Sequence, residues 1–525
     1  MDWSFPHPSR RSPVLADNVV AASQPLAARA GVAMLEQGGN AVDAAIAAAA
    51  ALTVVEPVMN GLGGDAQVLM WDGQSVVGLN GCGKSPAAWS PERFGRHTRM
   101  PDLGWESVIV PGAVALWADL SARYGKLPFD TLLAPAIRYA HDGFLVSPII
   151  ARQWVVHADR LKEQPGFAAA FMPGGRAPQA GERFRFPALG RSLERIAATR
   201  GRDFYEGDIA AAVVADADRH GAALSAQDLA AHCSEWVAPL GLRYRGLDVY
   251  QMPPPAQGLA VLSALGIMQH FDLGPSQDPA LRMHVQIEAM KMAFADVYAH
   301  LADAAWMQGE AAALLDPEYL RSRAARIDPS RAAAHPPCTL PRHATVYLAV
   351  ADRDGMVVSF IQSNFHGFGS GVVVPDTGVS FHNRGSGFSL EAGHPNQVAG
   401  AKKPFHTIVP GLLVRDGSPW GALGVVGADM QPQGQVQIIS ALEDLGLNPQ
   451  AALDLPRWRI DPKGAVRLEA AVAPEIEQGL AARGHPVVRM PPGNIDFGGA
   501  QCVVRVGDGY AGASDASRDG SAVGF

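Results

Sequence analysis

Apolar residues recur at helical spacing through residues 27–57, AARAGVAMLEQGGNAVDAAIAAAAALTVVEP. Residues 14–60 therefore predict a strand followed by two helices. The break falls at Gly38-Gly39-Asn40, because glycine or asparagine supplies the left-handed conformation that ends a helix. The second helix, 41–55, is apolar on nearly all sides, which predicts burial, and its small residues allow close approach to a sheet. Two apolar runs flank Asp72-Gly73 and predict a hairpin. Residues 110–330 are mostly of helical period, interrupted by a short strand pair, LGLRYRGLDVYQM, and by Pro253-Pro254-Pro255.

The character then changes. Residues 325–343 are rich in proline, arginine and alanine without a clear period, and predict a loop or linker. After them the chain is strand-rich. ATVYLAVADRDGMVVSFIQSN is two apolar, β-branched runs around Asp354-Gly355, and further strands are predicted in 404–426 and 502–514 with one helix, QVQIISALEDLG, between. Sheet segments in both halves and helices mostly in the first predict a layered α+β domain, sheets inside and helices outside.

Composition narrows the function classes. A length of 525 residues allows two to four domains, and 48% hydrophobic with 18% charged residues is ordinary for a protein with a large core. A net charge of −8 asks for neither nucleic acid nor an anionic membrane. Cys82, Cys233, Cys338 and Cys502 are far apart and form no CxxC pair, which argues against a disulfide framework or a zinc site. The first residues, MDWSFPHPSRRSPV, lack an apolar signal core, and the run Ala44 to Val55 is about half a membrane span. A reduced, cytoplasmic setting is expected, with no metal and no organic cofactor.

Amide hydrolysis needs a nucleophile, a base and oxyanion donors. The sequence has no GxSxG elbow and no HExxH. A threonine opening a strand after a linker offers another route. Once the bond before it is cut, its α-amine, which titrates at about 7.7–8.0, can take its own hydroxyl proton. Thr345 follows Pro341-Arg342-His343-Ala344 and opens TVYLAVA. By itself this is also the pattern of an ordinary β-strand start.

The stretch ATVYLAVADRDGMVVSFIQSNFHGFGSGVVVP resembles the start of the small subunit of gamma-glutamyltransferases. The blocks GGNAVDAAIAAAAALTVVEP with NGLGGDA, MPPPAQG, EAMKMAFADVYAHLAD and VVGADMQPQGQ resemble other family blocks in the same order. The resemblance implies an N-terminal-nucleophile αββα sandwich, two antiparallel sheets between helical layers. It implies a precursor cut between Ala344 and Thr345 into a large chain, 1–344, and a small chain, 345–525, that stay associated in one intertwined domain. It places the nucleophile on Thr345, a supporting hydroxyl on Ser363 and oxyanion amides on Gly427 and Ala428.

The family's amino-acid clamp is altered. A family arginine that grips the substrate α-carboxylate falls on Cys82 in Asn80-Gly81-Cys82-Gly83-Lys84. A family aspartate for the α-amine falls on Gly387 in His382-Asn383-Arg384-Gly385-Ser386-Gly387-Phe388, where Arg384 is a new cation. A serine pair that contacts the carboxylate falls near Lys402-Lys403, a pair that could equally be solvated. Asn383, Arg384, Cys82 and Lys403 are the candidate substrate-binding residues. With no acidic residue left for an ammonium, a small acidic amide such as oxamate is the expected substrate, as in the oxamate amidohydrolase-like subgroup. A gamma-glutamyl substrate such as glutathione, or an inactive binding paralogue, is the alternative. Cys82 is discounted as a nucleophile and His366 as a base. Partners are limited to a small-molecule amide and a possible second copy of the chain.

Overall fold

The computed structural model describes residues 11–333 and 344–525. The expected linker residues Pro341, Arg342 and His343, together with Cys338 and the first ten residues, lie outside the described residues. Cys82, Cys233 and Cys502 are free thiols.

Two seven-stranded sheets form the centre. Sheet I runs Val14–Ala16, Gly509–Ser514, Gly499–Val506, Ser418–Val426, Gly411–Arg415, Leu247–Gln251 and Leu240–Tyr244. Sheet II runs Ser521–Gly524, Val19–Ala22, Ala344–Ala351, Val357–Phe365, Asp65–Trp71, Val76–Gly81 and Glu235–Val237. Every neighbouring pair in both sheets is antiparallel. Each sheet takes strands from both sides of the predicted cut, so neither chain could complete a sheet alone.

The sheets face one another across a thin core. Leu69, Tyr347, Ala349 and Ile361 of sheet II meet Leu412, Ala422 and Val503 of sheet I. The outer face of sheet II is covered by helices including Pro25–Glu36 and Ala41–Val55. The outer face of sheet I is covered by Leu259–Met268, Met430–Glu443 and Pro449–Asp454, and Pro279–His300 packs over the first of these. This is the αββα arrangement, and it accounts for the apolar runs: Val357–Phe365 is buried at all nine positions because helices cover one face and sheet I the other.

Local signals work as read. Asn40 caps Ala41–Val55 through a capping box with Asp43, and all fifteen helix residues are buried. The start of the chain holds two strands where one was predicted, Val14–Ala16 and Val19–Ala22, and they go to different sheets. The region between Ser418–Val426 and Gly499–Val506 holds three helices where one was predicted, Met430–Glu443, Pro449–Asp454 and Pro474–Ala482, with a three-stranded sheet, Trp458–Ile460, Val466–Leu468 and Val487–Arg489. Strands of three residues are too short to show a period.

Candidate active site

Thr345 is the second residue of Ala344–Ala351 and is buried, at 1% exposure. The register against Val357–Phe365 shifts between Ala344 and Val346, so Thr345 sits at an irregularity. Such bulges re-aim a side chain. The Thr345 Oγ1 lies 3.2 Å from Ser363 Oγ and accepts from Gln431 Nε2 at 3.2 Å. Ser363 Oγ in turn accepts from the Phe365 amide at 2.8 Å. Either hydroxyl can be the donor in the Thr345–Ser363 contact. Gln431 is itself fixed, its Oε1 accepting from the Val409 amide at 3.0 Å.

Gly427 and Ala428 form the turn between strand Ser418–Val426 and helix Met430–Glu443. Both have positive φ, 114° and 53°, a conformation glycine takes freely and alanine only at some cost. Gln257 braces the turn by donating through Nε2 to both Thr407 O and Ala428 O at 2.7 Å. Asp429, the next residue, is buried and held by a two-pronged contact with Arg459. Gln431 belongs to the same helix, so the helix N-terminus that touches the Thr345 hydroxyl also presents the two amides expected to receive an oxyanion. A helix N-terminus favours negative charge.

Arg384 is fully buried. Its guanidinium lies over the Phe365 ring, 3.9 Å from the centroid, and Nη1 donates to Thr407 Oγ1 at 3.0 Å. Its Nε and Nη2 have no hydrogen-bond partner among the described residues. Phe365 reaches this position through a positive φ of 74° at the end of its strand. Asn383 braces the turn. Its Oδ1 accepts from the His366 amide at 3.0 Å and its Nδ2 donates to Asp102 O at 2.8 Å.

Two expectations are corrected. Lys402 and Lys403 are not a solvated pair. Lys402 is buried, donates to Pro395 O and Gln397 O, and burial brings its pKa down to about 8. The Lys403 ammonium is paired with Glu235. The second correction concerns the missing acid. Asp65, which the sequence reading passed over inside NGLGGDA, is fully buried with Oδ2 3.6 Å from Arg384 Nε and 3.0 Å from His406 Nε2, and Oδ1 3.5 Å from His382 Nε2. Burial pushes its pKa up to about 7, and Arg384 works against that shift. Burial lowers the pKa of His382 to about 3 and that of His406 well below its ordinary value, so both rings are neutral.

Cys82 is buried beside this group, with Sγ accepting from Gln67 Nε2 at 3.2 Å. Burial, with Asp65 adding to it, raises its pKa far above the usual thiol value, so it is a poor nucleophile, as expected. Asp65, Cys82 and His406 converge within 4.8 Å and are metal-ligating residue types. The Arg384 cation already lies against the same carboxylate, however, and would repel a metal ion. His366 is neutral, its pKa lowered to about 3 by burial, and it stacks on Phe365.

Gln431, Asp65, His406, Thr407 and Gln257 were not singled out from the sequence. Each sits inside or beside a quoted motif as a polar residue among apolar or glycine neighbours, and that pattern is the signal that could have found them.

The gamma-glutamyltranspeptidase family model matches residues 27–525. The chain is 36% identical over 511 residues to the glutathione hydrolase-like YwrD proenzyme of Bacillus subtilis (strain 168), covering 95% of this chain and 97% of that protein. It is 34% identical over 515 residues to the oxamate amidohydrolase proenzyme of Klebsiella pneumoniae, covering 95% and 97%. A solved structure of a cephalosporin acylase from Bacillus halodurans superposes with a TM-score of 0.94 at 42% identity, covering 100% of this chain and 99% of that one. No described helix is long and apolar enough to cross a membrane.

Proposed function

The chain belongs to the gamma-glutamyltranspeptidase family of N-terminal-nucleophile hydrolases, enzymes that cut C–N bonds, and from that premise we propose that it is a self-processing threonine amidohydrolase acting on a small amide that carries a carboxylate. The observation that carries the reading is the Thr345 hydroxyl held between Ser363 Oγ and Gln431 Nε2 at the start of its strand.

In the first step Thr345 Oγ1 attacks the Ala344 carbonyl carbon. The C–N bond breaks, an ester forms, and the nitrogen keeps its hydrogen and takes up the proton given up by the hydroxyl to become the free amine of Thr345. Water then opens the ester and leaves a large chain, 1–344, and a small chain, 345–525. The proenzyme names of the two curated relatives support this order. The interleaved sheets are the reason the two chains would remain together.

In turnover the freed amine takes the hydroxyl proton as Oγ1 attacks the amide carbon. The amides of Gly427 and Ala428 receive the oxyanion. The leaving nitrogen departs with the proton from the amine, and water hydrolyses the acyl ester. Arg384 supports a carboxylate on the acyl side, because its free Nε and Nη2 form the edge that binds a carboxylate through two parallel hydrogen bonds. Oxamate has this form, a carboxylate joined directly to the amide, and one relative carries that name.

Asp65 favours a second reading. A carboxylate beside Arg384 could receive an ammonium, which suits gamma-glutamyl compounds. A side-by-side assay of processed enzyme separates the two: ammonia from oxamate, glutamate from glutathione, and deacylation of a cephalosporin. The first reading expects the highest kcat/KM for oxamate. Efficient glutathione cleavage that ignores Arg384→Ala would overturn it.

A further inference from the structure

The unfilled edge of Arg384 faces a carboxylate that does not fill it. Nε is 3.6 Å from Asp65 Oδ2, outside hydrogen-bond distance, and Nη2 has no partner among the described residues. A substrate carboxylate placed on that edge would therefore stand against Asp65. Two carboxylates sharing one buried cation cannot both stay ionised at low cost.

We propose that Asp65 and a substrate carboxylate are alternative counter-ions of Arg384, and that Asp65 takes up one proton from solvent when a carboxylate-bearing amide binds. The step is balanced: the carboxylate gains one proton at one oxygen, no other bond changes, and product release returns the proton. The inference rests on the carboxylate-binding reading of Arg384.

Among the described residues the other groups around Asp65 act on it more weakly than Arg384. From residues 382–384 come Arg384 and neutral His382, whose Nδ1 accepts the Arg384 amide at 3.1 Å and whose Nε2 therefore faces Asp65 as a neutral donor. From residues 403–407 come His406, also neutral, with Nε2 at 3.0 Å, and Lys403, whose charge is engaged by Glu235. From the next strand come the Cys82 thiol and the Gly83 amide, 3.4 Å from Oδ1. Tyr205 feels the Asp65 charge but stays a neutral phenol, its pKa raised by burial. His406 bonds an ionised Asp65 without carrying charge and the His382 ring lies beside it uncharged, so Arg384 is its main counter-charge, with Lys403 a weaker one. The carboxyl pKa near 7 places the exchange in the working range.

The expected signature is a pH-dependent preference for charged over neutral amides. Below neutral pH Asp65 is already protonated and a carboxylate binds at no proton cost. Above its pKa each bound carboxylate must bring a proton, so affinity falls by about tenfold per pH unit. The ratio of kcat/KM for oxamate to that for oxamide, a neutral relative, cancels the titration of the Thr345 amine, which both substrates share. In processed enzyme this ratio is expected to fall steadily from pH 7 to 9, and in Asp65→Asn to be flat.

A binding measurement needs no turnover and so stands apart from the substrate reading. Titrating acetate into processed enzyme at pH 8, in buffers of different ionisation enthalpy, is expected to show close to one proton taken up per acetate, and none in Asp65→Asn. Uptake that persists in Asp65→Asn assigns the proton elsewhere and overturns the inference. Should Asp65→Asn fail to mature, the wild-type ratio decides: a ratio independent of pH from 6 to 9 overturns it. An oxamate preference that depends on Arg384 but not on pH keeps the proposed function and removes Asp65 from it. No oxamate turnover at all, with proton uptake on acetate binding retained, does the reverse.

Discussion

Ser363 stands directly across from Asp65 in the antiparallel pairing of Val357–Phe365 with Asp65–Trp71. Opposed residues in such a pair project from the same face of the sheet. The hydroxyl that touches Thr345 and the carboxylate beside Arg384 are thus neighbours in one file of side chains. Cys82, one residue past the Ala66–Gly81 pair, extends that file to the next strand. Candidate nucleophile, supporting hydroxyl and carboxylate come from three strands adjacent in the sheet, the first two joined as a hairpin and the third far away in the chain. Changes along this file should separate cleanly.

Thr345→Ala should remain one chain of about the full mass. The wild type, at 55.3 kDa, should yield pieces near two thirds and one third of that without added protease. A denaturing gel with N-terminal sequencing of the smaller piece checks both, and a Thr345→Ala protein still cut at this bond would refute the nucleophile assignment.

Ser363→Ala should fold, mature slowly and lose turnover on the order of 10²-fold, the scale of one catalytic hydrogen bond in a preorganised site. The readout is kcat on fully matured protein, with circular dichroism as the control for folding. Wild-type turnover would dissociate Ser363 from the chemistry despite its 3.2 Å contact.

Gln431→Ala removes the amide that reaches Thr345 Oγ1 and the acceptor of the Val409 amide. Loss of one such bond costs about 1–2 kcal/mol, so kcat/KM should drop on the order of tenfold. Unchanged kinetics would mean that Ser363 alone orients the nucleophile.

Arg384→Ala should weaken use of oxamate by roughly 10–100-fold, the scale of hydrogen bonds to a charged group, and affect a neutral amide far less. It also leaves Asp65 buried without its cation. Arg384→Ala combined with Asp65→Asn should therefore recover stability over the single variant in thermal melts, while the oxamate defect remains. If the double variant melts no higher than Arg384→Ala alone, the two side chains are not charge-coupled.

Stability should rise as pH increases from about 4 to 6.5. Burial lowers the pKa of His157 and His232 to about 4, that of His366, His382 and His485 to about 3, and those of His284 and His406 below their ordinary values. In this window the unfolded chain binds protons that the folded chain refuses, and each such group contributes up to about 1.4 kcal/mol per pH unit below 6.5. The raised carboxyls Glu56, Asp65 and Asp429 act in the opposite sense, since the fold retains their protons up to about pH 6–7. The smaller upward shifts of Asp43, Asp352, Glu443, Asp454 and Glu469 add to that opposition, and carboxyls held low, among them Asp203, Asp461 and Asp515, offset them, which leaves the histidines to set the direction. A melting temperature that falls over this pH range would contradict the burial of the imidazoles.

The sequence by itself determined the long elements and the layer order, and missed the three-residue strands and two short helices. Helix Ala41–Val55 is legible because an all-apolar helix must be buried, and its start at Asn40 because capping is a local interaction. The turn signal at Asp354-Gly355 between two apolar runs fixes the Ala344–Ala351 hairpin, and with it the contact between Thr345 and Ser363, since register in a hairpin is set by its turn. Lys403 and Asp65 were decided only by the tertiary structure. Neither residue's own neighbours in the chain say that Glu235, 168 positions away, takes the lysine, or that Arg384 and His406 close around the aspartate. Local period reports whether a face is buried. The charge that a buried group meets there depends on long-range partners, and those exist only once the strands are paired.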